Sequence, residues 1–287
     1  MKILVFGATG LIGYTIARVL HQVNSLEVVG VSRRAVGSFS SLFDYLGSTD
    51  LLVPGEASNI FANHKPDVVI NCVGVTKHVT DGADPVKAIS TNSLLPHELS
   101  NLSSEYGARF IHISTDCVYD GLQGGYKEEQ LPNAIDLYGR TKALGELLNK
   151  SDLVIRTSTI GHEKFTSNGL LEWFLGQKSL CFGYKNAYFS GLTTLELAEV
   201  ILNHVLPKRN LAGLYHLTGP RISKFDLLQI MRKVYGIDME IREDFSLRID
   251  RSLNGNKFLH DTGYASPSWE TMILSMKMDY EKGGGFV

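Results

Sequence analysis

The chain has only three cysteines, Cys72, Cys117 and Cys181, and they form neither a C-x-x-C pair nor any other metal-ligand spacing. An odd count, with two of them in or beside apolar strand-like runs, argues against a disulfide framework and fits free thiols in a reducing compartment. No apolar run approaches the roughly 20 residues of a membrane-spanning helix. Met1 is not followed by an apolar h-region and a small-residue cleavage site, so a cytoplasmic location is expected. Charge of one sign is lacking too. Lys and Arg number 28 against 30 Asp and Glu, and no long basic run occurs, which argues against nucleic acid as a partner. There is no internal repeat and no low-complexity segment. What remains is 287 residues of ordinary soluble composition, 44% hydrophobic and 20% charged, enough for one large domain or two modest ones.

Within that chain the first informative stretch is the start. Lys2-Ile3-Leu4-Val5-Phe6 reads as a short strand and runs directly into Gly7-Ala8-Thr9-Gly10-Leu11-Ile12-Gly13, after which Tyr14 to Gln22 has helical character. Strand, glycine turn and helix in this order are the context a dinucleotide-binding loop requires. Gly7 permits the tight turn, Gly10 lets the backbone approach a pyrophosphate, and Gly13 lets the helix pack close to the strand. The helix N-terminus then offers N–H groups to phosphate. Gly7, Thr9, Gly10, Leu11, Ile12 and Gly13 are therefore candidate cofactor contacts. A second strand, Glu27 to Val31, ends in Ser32-Arg33-Arg34. An acid at this place would hold an NAD ribose, whereas guanidinium accommodates the 2′-phosphate of NADP, so Ser32, Arg33 and Arg34 point to NADP. Asp67 to Gly74 reads as a buried strand, whose end places Cys72, Val73 and Gly74 against the cofactor and Lys77 near the substrate.

The third stretch carries proton chemistry. The apolar run Phe110-Ile111-His112-Ile113 leads to Ser114-Thr115-Asp116, so the Thr115 hydroxyl stands at a strand's carboxyl end, where open α/β sheets place ligands. Tyr138 and Lys142 share a helical face. A free tyrosine titrates near about 10, and an adjacent ammonium favours the phenolate, pulling that value toward the working range. A hydroxyl, a tuned phenol and a lysine suit the reduction of a carbonyl. Helices are expected from about 85 to 106, from about 136 to 149, and from Ser58 as N-cap to His64. Trp173, in the apolar stripe Gly169 to Leu175, reads as a core anchor, and Asp250 to Asn254 lies in a polar segment.

The glycine loop together with Ser114-Thr115-Asp116 and Tyr138-Gly139-Arg140-Thr141-Lys142 resembles the extended short-chain dehydrogenase/reductase superfamily. Ile113 to Gly121 and Leu137 to Glu146 look more narrowly like its dTDP-4-dehydrorhamnose reductase family. The resemblance implies an α/β fold: a doubly wound, mostly parallel Rossmann-type sheet with a smaller C-terminal substrate-binding portion. Residues 1–157 and 187–218 would form the NADP-binding domain, and 158–186 and 219–287 the substrate portion. It also implies Thr115, Tyr138 and Lys142 as the catalytic set, with Tyr138, Lys142 and Asn92 also near the cofactor. Lys77, Thr115, Asp116, Arg251 and Asn254 would face a nucleotide-sugar. For Asn92 a satisfied buried amide, and for Arg251 a surface ion pair, are the competing readings.

The implied activity is NADPH-dependent reduction of a 4-keto group on a nucleotide-activated 6-deoxyhexose; no residue is assigned to a metal, and a homodimer is compatible with it. Ile160 to Glu163, Gly169 to Leu175, Phe189 to Leu192 and Ile249 to Asn254 look more like a branch acting on UDP-2-acetamido-2,6-dideoxy-4-ketohexoses for bacterial surface polysaccharide. Sister dehydratases carry an acid where Cys117 stands, and sister epimerases favour NAD. A regulatory subunit of methionine adenosyltransferase, which keeps the nucleotide fold, is the non-catalytic alternative.

Overall fold

A computed structural model describes residues 1–34, 44–76, 80–146 and 149–284. In chain order the first half comprises β1 (Lys2–Phe6), α1 (Leu11–His21), β2 (Glu27–Val31), β3 (Asp44–Leu46), α2 (Glu56–His64) and β4 (Val68–Asn71). It continues with α3 (Thr80–Ala83), α4 (Pro85–Ile89), α5 (Leu95–Glu105), β5 (Arg109–Thr115), α6 (Leu137–Leu144) and β6 (Leu153–Thr157). The second half comprises β7 (Thr159–Ile160), α7 (Leu170–Leu175), β8 (Leu180–Phe189), β9 (Leu192–Thr193), α8 (Thr194–Val200) and β10 (Gly213–His216). It closes with β11 (Ile222–Ser223), α9 (Lys224–Tyr235), β12 (Glu240–Asp250), α10 (Asn256–Thr262) and α11 (Trp269–Asp279).

Seven strands pair in the order β10-β6-β5-β4-β1-β2-β3, every pair parallel. The chain first moves outward from β1 to β3 and then back across to β4. The switch point therefore lies between β1 and β4, where such sheets open a crevice for a dinucleotide. Strand residues alternate between two apolar layers, as a pleat requires. Ile3, Val5, Ile111 and Ile113 pack under α1 and α8, whereas Leu4, Phe6, Val69 and Phe110 pack under α2 and α5. That alternation puts His112 and Ser114 on the α5 side of β5, where α6 also sits.

A smaller sheet, β11-β8-β12, carries the C-terminal half. The first apolar layer runs on into it through Phe189, Met231, Ile241 and Trp269, so sheet and C-terminal helices share one core. The expected boundary at 186/187 falls inside β8. Two local expectations are corrected and one is refined. The α2 cap is Gly55, at φ +88°, rather than Ser58, because only the glycine adopts the left-handed turn that precedes the helix. The segment from Pro85 to Glu105 is helical throughout, but Ser90–Leu94 is a π-turn. Trp173 is 42% exposed, and Trp269, 3% exposed with its indole N–H donating to the Pro220 carbonyl at 2.7 Å, is the buried anchor.

Candidate active site

The glycine loop is built for close approach. Gly7 has φ +81°, and a Cβ there would stand 3.0 Å from the Cys72 carbonyl carbon and oxygen. A Cβ on Gly13 would lie 2.3 Å from the Gly7 carbonyl oxygen, which only glycine avoids. Gly10 caps α1 in an extended conformation with no side-chain cap, so the helix N-terminus faces outward beneath the exposed Gly10 and the half-buried Thr9, Leu11 and Ile12. Cys72, Val73 and Gly74 follow β4 across the crevice, with Val73 N–H bound to the Asn71 side-chain oxygen at 3.0 Å. At the end of β2, Ser32 is buried and holds the turn by accepting from the Arg34 N–H at 3.2 Å. Arg33 and Arg34 are exposed, and Arg34 donates to the Phe165 carbonyl at 3.1 Å while lying over its ring. These features fit a dinucleotide with a phosphate on its ribose: a backbone cradle without Cβ atoms, and two guanidiniums one strand away.

Proton-handling groups gather where β5 meets α6. Asp136 caps α6 by accepting from the Gly139 N–H at 2.8 Å. A Cβ on Gly139 would come 2.2 Å from the Cys117 carbonyl oxygen, so this glycine lets the helix press onto the strand end. Residues 138, 142 and 146 then lie along one stripe of the helix and its exit turn, over the β5 face that carries His112 and Ser114. Tyr138 lies beside Thr115 at the top, where the Thr115 hydroxyl pulls the phenol's pKa down. Thr115 in turn accepts from the Cys117 N–H at 3.1 Å and reaches the Asp116 carboxylate at 3.3 Å. Lower down, Lys142 Nζ donates to the Ile113 carbonyl at 3.0 Å and meets His112 Nε2 at 3.2 Å. Lowest, Glu146 pairs with Arg156 at 2.7 Å and accepts from the Ser114 hydroxyl.

The electrostatics correct one expectation. Tyr138 is shifted upward, not downward: burial dominates, Cys117, Asp116 and Asp136 add to it, and the neighbouring Thr115 hydroxyl only partly opposes them. The ammonium expected to lower it is itself depressed to about 8, chiefly by burial against the opposing pull of Glu146 and Cys72. The phenol is thus held protonated. Cys117 is pushed up to about 12 by burial and by Asp116, so it stands as a neutral thiol. Burial raises Asp116 as well, with Arg251 pulling the other way.

The remaining expected residues fall into two groups. Arg251 does reach the strand end, donating to the Tyr119 carbonyl at 3.0 Å and to Cys117 Sγ at 3.7 Å, with Asp136 3.9 Å away. Asn92 is fully buried, and its amide is taken up by Val75 and Thr141: Oδ1 accepts from the Val75 N–H, and Nδ2 donates to the Val75 carbonyl and to Thr141. The satisfied amide is the arrangement found, and it joins the β4 loop to α6. Asn254 Oδ1 accepts from the Asn256 N–H at 3.0 Å and shapes the entry to α10. Lys77 lies outside the described residues. Sequence reasoning missed His112, Asn71, Glu146 and Arg156; the one available signal was a histidine inside an otherwise apolar strand. It also missed a cleft of about 550 Å³ lined by Tyr188, Arg221, Arg248 and Asp250, in which Arg221 lies 3.6 Å over the Tyr188 ring.

A parallel sheet with its switch point at a glycine loop, and a Thr/Tyr/Lys set at the end of β5, define an extended short-chain dehydrogenase/reductase. Within that class the chain belongs to the family described as the RmlD substrate binding domain, whose model matches residues 1–277. It is similar to the dTDP-4-dehydrorhamnose reductase of Salmonella typhimurium, 27% identical over 229 residues, covering 76% of this chain and 73% of that one. It is also similar to methionine adenosyltransferase 2 subunit beta of Bos taurus, 32% identical over 146 residues. That match covers 50% of this chain and 41% of the bovine one. Among solved structures, a dTDP-4-dehydrorhamnose reductase from Bacillus anthracis in complex with NADP superposes with a TM-score of 0.81 at 19% identity, covering 97% and 99% of the two chains.

Proposed function

We propose that this protein is an NADP-dependent nucleotide-sugar reductase acting on the 4-keto group of an activated 6-deoxyhexose. The observation that carries the reading is the placement of Thr115 beside a protonated Tyr138 at the carboxyl end of β5, with Lys142 one turn further along α6. NADPH, when bound, supplies the hydride. The long Thr115–Asp116 contact, 3.3 Å, is easily exchanged for a bond to the sugar carbonyl oxygen. Tyr138 then gives its proton to that oxygen, and the two hydroxyls stabilise the developing alkoxide. Arg33 and Arg34 hold the 2′-phosphate. Cys117, a neutral thiol, is unsuited to the acid/base work of a dehydratase at that place. On the substrate side, Arg221 and Arg248 offer guanidinium forks of the kind that match a diphosphate.

The substrate we favour is a UDP-2-acetamido-2,6-dideoxy-L-hexos-4-ulose for bacterial surface polysaccharide, with dTDP-4-dehydrorhamnose next. The segments resembling the acetamido branch all lie in or beside the C-terminal portion, where a change of sugar would be written, and a site that hydrogen-bonds one group rejects an analogue lacking it. The similarity to the bovine subunit favours a second reading, a non-catalytic NADP-binding regulatory subunit. Both are decided by NADPH oxidation with a panel of 4-keto sugar nucleotides generated in situ. The expected result is turnover, with a higher kcat/KM for the UDP-acetamido sugar. A preference for the dTDP sugar overturns the substrate assignment, and NADPH binding without oxidation of any member supports the regulatory reading.

A further inference from the structure

His112 is fully buried between Asn71 and Lys142, and the directions of its hydrogen bonds are fixed by their neighbours. The Val73 N–H donates to Asn71 Oδ1 at 3.0 Å, so the amide cannot be turned round without setting donor against donor. Asn71 therefore presents Nδ2–H to His112 Nδ1, 3.1 Å away, and that ring nitrogen must accept. Burial, the largest cause, holds the His112 pKa well below its ordinary value, so the ring is neutral and its single proton sits on Nε2. Nε2–H points at Lys142 Nζ, 3.2 Å away. An ammonium has no lone pair to receive it. A neutral amine does, and still donates to the Ile113 carbonyl.

We propose that His112 is a positioning residue that parks Lys142 against β5 as a neutral amine in the cofactor-free protein, and that cofactor binding draws the side chain out together with a proton. The groups facing Lys142 allow this. On its own helix stand Tyr138, a phenol, and Glu146, whose charge is matched by Arg156. From the β4 loop comes Cys72, a thiol pushed up to about 12 by burial. On β5 are His112 and the Ile113 carbonyl, with His97 behind. No carboxylate among the described residues is bonded to Nζ, so nothing in the parked state requires the charge. Once protonated, Nζ is repelled by Nε2–H and is free to serve the ribose hydroxyls of a bound dinucleotide and to act on Tyr138. The parked state prevails from about pH 8 upward, since the lysine titrates near that value.

The inference rests on the cofactor reading above, and its test separates the two. In the protein without cofactor at pH 9, ¹⁵N NMR of the imidazoles, assigned by comparison with His112→Phe, should show His112 as the neutral Nε2–H tautomer. Calorimetry of NADPH binding in buffers of different ionisation enthalpy should show uptake on the order of one proton per site at pH 9, falling toward zero at pH 7. His112→Phe should reduce the uptake at pH 9, because the donor that stabilises the amine is gone, and His112→Gln, which can donate from its amide, should restore much of it. An Nδ1–H tautomer or an imidazolium overturns the proposal, as does NADPH binding without proton uptake at pH 9. Failure to bind NADPH at all overturns the cofactor reading instead.

Discussion

Two buried basic side chains, Arg156 and Lys142, sit close together under α6, and they are treated in opposite ways. Arg156, at the end of β6, meets a carboxylate: Glu146 accepts from its Nε and Nη2, and Tyr119 takes Nη1 at 2.6 Å. Lys142, one helical turn before Glu146, meets only an imidazole and a backbone carbonyl. The first group is matched in place, and removal of its partner would strand a charge in the core. Among the described residues no carboxylate is bonded to the second, which is how a group waiting for a ligand is expected to look. The fold thus places a structural ion pair and a lysine without a carboxylate partner on the same stripe.

The largest expected effect comes from breaking the matched pair. Glu146→Gln leaves Arg156 buried without its counter-charge and should cost about 3–5 kcal/mol of stability, measured by urea unfolding. A loss under about 1 kcal/mol would mean that the pair is not what holds this corner. The lysine should give a pH signature instead. Its folded value, about 8, lies below the ordinary lysine value of about 10.4, so between the two the unfolded chain binds more protons and stability rises with pH. Relative to Lys142→Met, the wild type should gain on the order of 2 kcal/mol between pH 8 and pH 10. A flat difference across that window would show that Lys142 is not depressed. The smallest effect concerns the exposed cations at the end of β2. Replacing Arg33 and Arg34 by Ala should weaken NADPH about tenfold or more and leave NADH nearly unchanged, since a charge-assisted hydrogen bond contributes roughly 1.5–3 kcal/mol. Equal losses for both cofactors in a fluorescence titration would take the 2′-phosphate away from these arginines.

What could be read from the sequence followed the same divide. The strand–glycine–helix start, the Thr115 strand end and the Tyr138/Lys142 spacing are local patterns, and each depends on neighbours within a few positions. The β8 and β12 strands were not legible. β12 is charged and largely exposed along Glu240–Asp250, with a register shift between Asp244 and Arg248, so it lacks the alternation that marks a half-buried strand. His112 was hidden by its apolar neighbours. Its role depends on Asn71 and Lys142, which lie 41 and 30 positions away along the chain. The upward shift of Tyr138 was equally out of reach, because spacing shows which groups share a face but not how deeply they are buried or which way Lys142 points.

In the proposed reductase, Tyr138, lying beside Thr115, delivers the proton in the reduction. Single-turnover hydride transfer by Tyr138→Phe, followed through NADPH absorbance with the 4-keto sugar nucleotide that the wild type turns over, tests it most directly. Unchanged NADPH affinity and a rate at least ~100-fold lower, the low end of what positioned proton transfer contributes, are expected. Hydride transfer at the wild-type rate would contradict it.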